Sequence, residues 1–290
     1  MYPNELFNIF GVSVDLYTIC FVLGVIACFV YLSIVMKKSG YSSTASDTIL
    51  VIGIFAILFG ILSAVLFQSV YDYIANPSGG FKITGRMTFI GGLMGGIISY
   101  LAIYNIYVYL INPKLSDKNF FKSDMNKGAW YGVRFIPASI TLAHAFGRLG
   151  CMFAGCCHGA ITEEWYGMYN VSVGAKTVPI QLFEALFLFA LTAVMTFLYF
   201  KFNFKYNLSI YLASYGTWRF IIEFFRDDYR GSFIGGISPS QFWSIVMVVA
   251  GIIFFFLYRK FDHVFVKEEQ EPINTEETEP TVEENQKDAE

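Results

Sequence analysis

The sequence predicts an all-α polytopic membrane protein with seven transmembrane helices, its N-terminus outside and its C-terminus in the cytoplasm. Three observations lead there. Of 290 residues, 55% are hydrophobic and 15% charged, against roughly a quarter charged in soluble domains. That apolar surplus exceeds what one water-soluble core hides, so a bilayer is the expected solvent. Seven segments approach the length of about 20 apolar residues that a crossing helix needs. The basic residues between those segments divide unevenly, which orients them. Disordered, collagenous and disulfide-scaffold classes are excluded by the same composition.

The segments are 14–36, 48–69, 88–112, 129–149, 180–200, 208–226 and 240–258. The first, second, fifth and seventh are plain hydrophobic runs. The third, fourth and sixth are interrupted by Gly, His, Arg and Glu. With the N-terminus outside, the cytoplasmic loops hold Lys37, Lys38, Lys114, Lys118, Lys122, Lys127, Lys201, Lys205, Arg259 and Lys260. The opposite side holds Lys82, Arg86, Lys176, Arg226 and Arg230, and ten against five favours N-out. The first segment lacks a basic leader and is too long for a cleavable signal. Val25-Ile26-Ala27-Cys28 resembles a lipobox, but apolar sequence continues past Cys28 as in a retained span.

The formal net charge of -3 averages two unlike parts. Residues 267–290 carry ten acids and two lysines, and the remainder has 18 basic and 13 acidic residues. Two units are expected: a transmembrane body over 1–262 and a disordered acidic cytoplasmic tail over 263–290, too poor in apolar residues to order itself.

Ionisable residues within spans are functional candidates because hydrocarbon burial is costly. In the fourth segment His144 and Arg148 are four apart and share a helix face, with Gly147 and Gly150 opening space around Arg148. Arg148 is read either as an anion ligand or as an arginine snorkelling to the interface. In the sixth segment Tyr215, Arg219 and Glu223 form one polar stripe at i, i+4 spacing. Arg219 and Glu223 can be a self-compensating structural pair. Yet a second arginine at similar depth suggests two guanidiniums clamping a phosphate, and a lipid headgroup is the natural anion there.

Gly91-Gly92-Leu93-Met94-Gly95-Gly96 suits close helix packing. Pro179 stands at a favourable first-turn position, and Gln181 and Glu184 after it read either as helix caps or as residues lining a site, with capping preferred. Cys20 and Cys28 read as packing residues. Cys151, Cys156, Cys157 and His158 cluster after the fourth segment without a standard zinc spacing. Reduced thiols near the membrane surface, a disulfide or a metal site all remain open for them, in that order.

Taken in order, these stretches resemble the prolipoprotein diacylglyceryl transferase family of bacterial membrane enzymes. The resemblance covers most of residues 10–260. It rests on Tyr17, on Phe89-Ile90-Gly91-Gly92-Leu93-Met94-Gly95, on Gly147-Arg148-Leu149-Gly150 and on Pro179-Ile180-Gln181-Leu182-Phe183-Glu184-Ala185. It continues through Tyr215-Gly216-Thr217-Trp218-Arg219-Phe220-Ile221-Ile222-Glu223-Phe224-Phe225-Arg226 and Ser238-Pro239-Ser240-Gln241-Phe242.

The resemblance implies transfer of a diacylglyceryl group from phosphatidylglycerol to the lipobox cysteine of secreted prolipoproteins, with release of glycerol phosphate. It implies a multi-pass protein of the bacterial plasma membrane. The partners would be phosphatidylglycerol, prolipoprotein signal peptides and membrane lipids, with no nucleic acid, no cofactor and no metal at the site. Arg148 and Arg219 would hold the phosphate, Tyr215 would donate to it, and Glu223 would orient Arg219. Tyr17, Gly91, Gly92, Gly147 and Cys151 would complete the substrate site.

The chain departs from the family pattern at three places. Ile90 stands where the family usually has His, Cys151 where it has Asn, and Cys156 where it has an acid. Isoleucine cannot take a proton, so His144 is the substitute base to test. The alternatives are a member that keeps the phosphate clamp with altered or no transfer, and a thiol or metal protein using the Cys151/Cys156/Cys157 loop.

Overall fold

The computed structural model describes residues 1, 5–9, 12–83, 88–111, 132–226 and 237–266. Among them are seven helices, one at each apolar segment read from the sequence. They are α1 (Leu16–Lys38), α2 (Ser43–Ala75), α3 (Phe89–Ile106), α4 (Ile136–Ala154), α5 (Ile180–Phe202), α6 (Asn207–Ile222) and α7 (Pro239–Val266). A π-helical turn, Tyr107–Ile111, extends α3, and a 3-10 turn, Glu223–Phe225, extends α6.

Four of these helices are long and apolar enough to cross a bilayer: α1, α2, α5 and α7. The apolar run in α3, Gly91–Ile106, is shorter, and α4 and α6 carry the polar residues noted above. Large apolar side chains remain exposed along the long helices, among them Val30, Leu58, Phe197 and Phe256. Exposed apolar surface on that scale is what a lipid-facing protein presents and a water-soluble one does not.

Local chemistry sets the helix ends. Asp15 caps α1 by accepting from the Thr18 backbone N–H at 2.8 Å and its hydroxyl at 2.7 Å. Lys37 and Lys38 occupy the last turn, where cations favour the helix dipole. Ser42 caps α2 through the Ala45 N–H, so this helix starts five residues before the apolar segment expected at 48. It also runs six residues past 69, where Gln68 donates to Asp72 one turn on. At the 33 residues of α2, a rise of about 1.5 Å each gives a rod of about 50 Å, longer than the hydrocarbon core of about 30 Å. Helix α4 stops at Gly155, whose φ of 71° is the left-handed conformation glycine adopts freely.

Two short antiparallel hairpins were absent from the sequence reading. Strand β1 (Glu5–Ile9) pairs with β2 (Val12–Asp15) just before α1. Strand β3 (Met168–Asn170) pairs with β4 (Ala175–Thr177) in the connection from α4 to α5. Helix α7 runs to Val266, close to the expected boundary of the transmembrane body at 262. The rest of the acidic tail, and the loop cations Arg86, Lys114, Lys118, Lys122, Lys127 and Arg230, lie outside the described residues.

The helices alternate in direction and give the bundle two ends. At the near end α1, α5 and α7 begin and α4 and α6 finish. Here the β3–β4 connection is sewn to the bundle: Ala160 N donates to Phe225 O, Gly159 N to Val178 O, and the Met1 ammonium to Tyr169 O. At the far end Leu32, Val35 and Met36 of α1 pack with Ile49 and Ile52 of α2, Tyr104 of α3, Phe135 and Tyr199.

The four glycines of α3 explain its tight contact with α2. A Cβ on Gly95 would stand 2.2 Å from Ser63 Cβ, and one on Gly91 2.5 Å from Phe67 Cβ. Ser63 Oγ donates to Gly91 O at 2.9 Å across the same seam. Gly91 and Gly92 therefore sit where backbones approach, and this packing accounts for both without a ligand.

Candidate active site

Two arginine centres occupy the near end. The first is built on α4, α5 and α6. Arg148 Nη2 lies 2.9 Å from Glu184 Oε1 and donates to Tyr215 Oη at 3.2 Å. Tyr215 Oη donates in turn to Glu184 Oε1 at 2.7 Å. The carboxylate is almost fully buried, at 2% side-chain exposure, while Arg148 keeps 17%. An isolated charge at that depth is strongly unfavourable, so each partner makes the other tolerable. Gly147, next to Arg148, has no atom of the described residues within 4 Å of where a Cβ would stand. The space expected beside Arg148 is present at Gly147, whereas at Gly150 it is filled by Tyr17, whose Cδ2 would stand 3.0 Å from a Cβ.

This triad corrects the reading of Glu184 as a helix cap. The residue that caps α5 is Pro179, so Pro179 itself lies just outside the helix and Glu184 is its fifth residue. A carboxylate in the second turn cannot reach the free N–H groups of the first. Gln181 is no cap either: its Nε2 donates to Cys156 O, while its buried Oε1 has no partner. The sequence did carry one signal for Glu184, an acid within an apolar span whose counter-charge had to come from another helix.

The second centre is built on the end of α6 and the start of α7. Arg219 Nη2 pairs with Glu223 Oε2 at 2.8 Å and donates to Ser240 Oγ at 3.1 Å. Glu223 Oε1 accepts from Ser238 Oγ at 2.9 Å, and Arg226 Nε stands 3.9 Å from Oε2. Ser238 and Gln241 form a reciprocal capping box on α7: Gln241 N donates to Ser238 Oγ and Ser238 N to Gln241 Oε1. The Ser-Pro-Ser-Gln stretch thus starts α7 and at the same time fixes Glu223 and Arg219. Trp218 stacks on Phe187 of α5 at 4.5 Å between centroids.

The centres are neighbours because Tyr215, which touches Arg148, lies one turn before Arg219 on α6. Residues so spaced have Cβ atoms about 6 Å apart. Among the described residues, each guanidinium retains a buried N–H without a hydrogen-bond partner, Nε of Arg148 and Nη1 of Arg219. A buried charged donor left unsatisfied costs about 1–3 kcal/mol or more, so both arginines are poised for an additional acceptor. An anion with several oxygens, such as a phosphate diester, supplies acceptors to both.

The remaining candidates fall around these centres. His144 lies edge-on to Tyr215, 4.8 Å between centroids, and its Nδ1 is 3.4 Å from Tyr211 Oη. Tyr211 and Tyr215 stack in parallel. His144 thus meets the first centre through these rings. Tyr17, in the first turn of α1, is exposed and packs its ring against Gly150 of α4. Cys151 follows Arg148 by three residues, at the end of α4.

Comparison with known proteins shows the family. The sequence profile of the prolipoprotein diacylglyceryl transferases matches residues 4–257. The chain is 36% identical to phosphatidylglycerol–prolipoprotein diacylglyceryl transferase 2 of Clostridium perfringens over 126 residues, 41% of this chain and 49% of that protein. It is 30% identical to the phosphatidylglycerol–prolipoprotein diacylglyceryl transferase of Clostridium tetani over 259 residues, 86% of this chain and 95% of the relative. The corresponding protein of Clostridioides difficile is 28% identical over 254 residues, 85% and 92% of the two chains. With a profile match over residues 4–257, the chain belongs to the prolipoprotein diacylglyceryl transferase family.

Proposed function

We propose that this protein transfers the diacylglyceryl group of phosphatidylglycerol to the lipobox cysteine of prolipoproteins, as its relatives' names describe for them. The observation that carries the chemistry is a pair of buried N–H groups, Nε of Arg148 on α4 and Nη1 of Arg219 on α6, that have no hydrogen-bond partner among the described residues. In the reaction the glyceryl C–O bond to phosphate breaks and a C–S bond forms. The thiol proton leaves to a base, and the electron pair of the broken bond departs with glycerol phosphate. Arg148 and Arg219 hold the phosphate oxygens and stabilise the charge that grows there. Glu184 and Glu223 hold the two guanidiniums in place, and Tyr215 is within reach to turn its hydroxyl from Glu184 to the phosphate. His144, beside Tyr215, is the base for the incoming thiol.

The topology that suits this chemistry has seven crossings, with α3 packed on α2 and exposed along its other side, α4 packed on α1 and α5, and α6 on α7. The N-terminus and the near end face outward in the bacterial plasma membrane, where prolipoprotein signal peptides emerge and membrane lipids supply the donor. The lysine excess on the opposite loops supports that orientation. The body is residues 1–262 with α7 running slightly beyond, and the acidic tail is cytoplasmic. Tyr17, Gly147 and Cys151 line the approach to Arg148, with Gly91 and Gly92 supporting α3.

The test is direct. The purified full chain, given phosphatidylglycerol vesicles and a lipobox peptide, is expected to form the thioether, detected by mass spectrometry, and to lose it on Arg148→Ala or Arg219→Ala. Ile90, in place of the usual histidine, favours a second reading in which the clamp remains without transfer. Phosphatidylglycerol binding without thioether, beside an active relative as control, would establish that reading and overturn the first.

A further inference from the structure

The three thiols beyond Arg148 are brought together by the fold. The Sγ atoms of Cys151, Cys156 and Cys157 lie within 4.8 Å of one another, and none of the three is in a disulfide among the described residues. Several features hold them there. Gly155 reverses the chain after α4, and Asn170, with no exposed surface, donates from Nδ2 to Gly155 O at 2.9 Å. Gln181, 1% exposed, donates to Cys156 O. Cys157 itself sits at a φ of 59°, a left-handed conformation that costs a non-glycine residue about 1–2 kcal/mol. The turn spends that strain in returning the Cys157 sulfur to the other two. Beside them the buried Oε1 of Gln181 has no hydrogen-bond partner.

We propose that Cys151, Cys156 and Cys157 form a three-thiolate site for a soft, thiophilic cation such as zinc, cadmium or monovalent copper. Sulfur is the ligand such ions select over oxygen. With metal–sulfur bonds of about 2.3 Å, three ligands of one ion stand about 4 Å apart, so the observed cluster closes by small side-chain rotations. Cys156 is exposed and gives the ion its way in. Binding a divalent ion releases three thiol protons and leaves a complex of charge -1, and the Arg148 guanidinium one turn back along α4 offsets that charge. The loaded site competes for the field of Arg148, so loading is expected to slow diacylglyceryl transfer. That last consequence rests on the phosphate role of Arg148, whereas metal binding does not.

The experiment uses the full chain, purified under reducing, oxygen-free conditions in detergent and titrated with cadmium. Thiolate-to-cadmium charge-transfer absorption and the bound metal per chain are the readouts. One cadmium per chain is expected, with Cys151→Ser, Cys156→Ser and Cys157→Ser each weakening binding by at least about 10-fold, the scale on which altered metal sites lose affinity. The Cys20→Ser/Cys28→Ser pair is expected to bind like the parent, and size-exclusion profiles check that each variant stays folded. Absence of stoichiometric binding, binding unchanged in the three single variants, or a disulfide found among the three thiols would each overturn the site.

Discussion

The two ends of the bundle bury arginine in different ways. At the far end Arg134 is 6% exposed, donates Nε to Tyr258 Oη at 2.8 Å, and its carbonyl accepts from Asn207 Nδ2 at 2.7 Å. What that end leaves unpaired is neutral, the Asn207 side-chain oxygen and the Ser209 hydroxyl. At the near end Arg148 and Arg219 are each tied to a glutamate, yet each leaves an N–H of the cation unpaired. Burial alone therefore does not mark a functional arginine in this fold. The mark is a held guanidinium whose donors outnumber its acceptors. Arg134 closes a helix contact, whereas under the proposed function Arg148 and Arg219 hold an anion.

Alanine substitutions test this contrast with the largest effects. Arg148→Ala and Arg219→Ala are each expected to lower kcat/KM by about 100- to 1000-fold, the usual effect of removing one donor to developing charge. Arg134→Ala should instead lower stability by about 1–3 kcal/mol while activity per folded molecule holds. Thermal unfolding in detergent and thioether formation, measured on the same preparations, separate the two outcomes. An Arg134 variant that stays stable but loses activity would erase the distinction between the ends.

Glu184→Ala comes next. Removing one partner of a buried ion pair leaves the other uncompensated, at a cost of about 3–5 kcal/mol, and Tyr215 also loses its acceptor. Glu184→Gln keeps the acceptor and removes the charge, so it should unfold at a temperature between the parent and the alanine variant. If both variants unfold like the parent, the Arg148–Glu184 pair is not what holds the first centre together.

Much of this fold was legible in sequence because apolar runs of span length have few other uses. The seven helices among the described residues overlap the segments that hydropathy marked, with shifted ends, and the Arg219–Glu223 pair followed from i, i+4 spacing alone. Glu184 was misread because its partner lies 36 positions back on another helix, and local spacing carries no trace of that pairing. Arg134 drew no notice for the same reason, its partner being Tyr258. The hairpins were hidden by brevity: β3 and β4 have three residues each, too few for an alternating pattern to emerge. The convergence of Cys151 with Cys156 and Cys157 depends on the Gly155 turn, which spacing does not encode.

Smaller effects are expected where the second centre meets its helix cap. Ser238→Ala removes the α7 cap and the hydrogen bond to Glu223 together, a loss of about 1–2 kcal/mol in stability. Because Glu223 positions Arg219, KM for phosphatidylglycerol should rise as well, with kcat changed less. Ser238→Thr retains the hydroxyl and should restore both. A stability loss without any change in KM would make Ser238 a cap alone and detach Glu223 from the site.

The smallest effect belongs to Asp15, which lies outside the membrane-spanning segments and caps α1. The hydrogen bond from the Thr18 backbone N–H, then that from its hydroxyl, hold its carboxyl below the usual 3.8. Both bonds favour the charged form. The sign follows: a carboxyl lowered on folding adds stability that is fully present above its unfolded pKa and is lost as pH falls through the folded value. The cap therefore contributes fully at neutral pH and weakens only below about pH 4. Asp15→Ala should cost about 1 kcal/mol at pH 7 and less in strong acid, where the parent carboxyl is protonated too. Asp15→Asn should keep most of the cap and flatten the acid dependence. Unfolding temperatures of the three chains between pH 3 and 7 measure this, and a gap between parent and Asp15→Ala that widened on acidification would contradict the assignment.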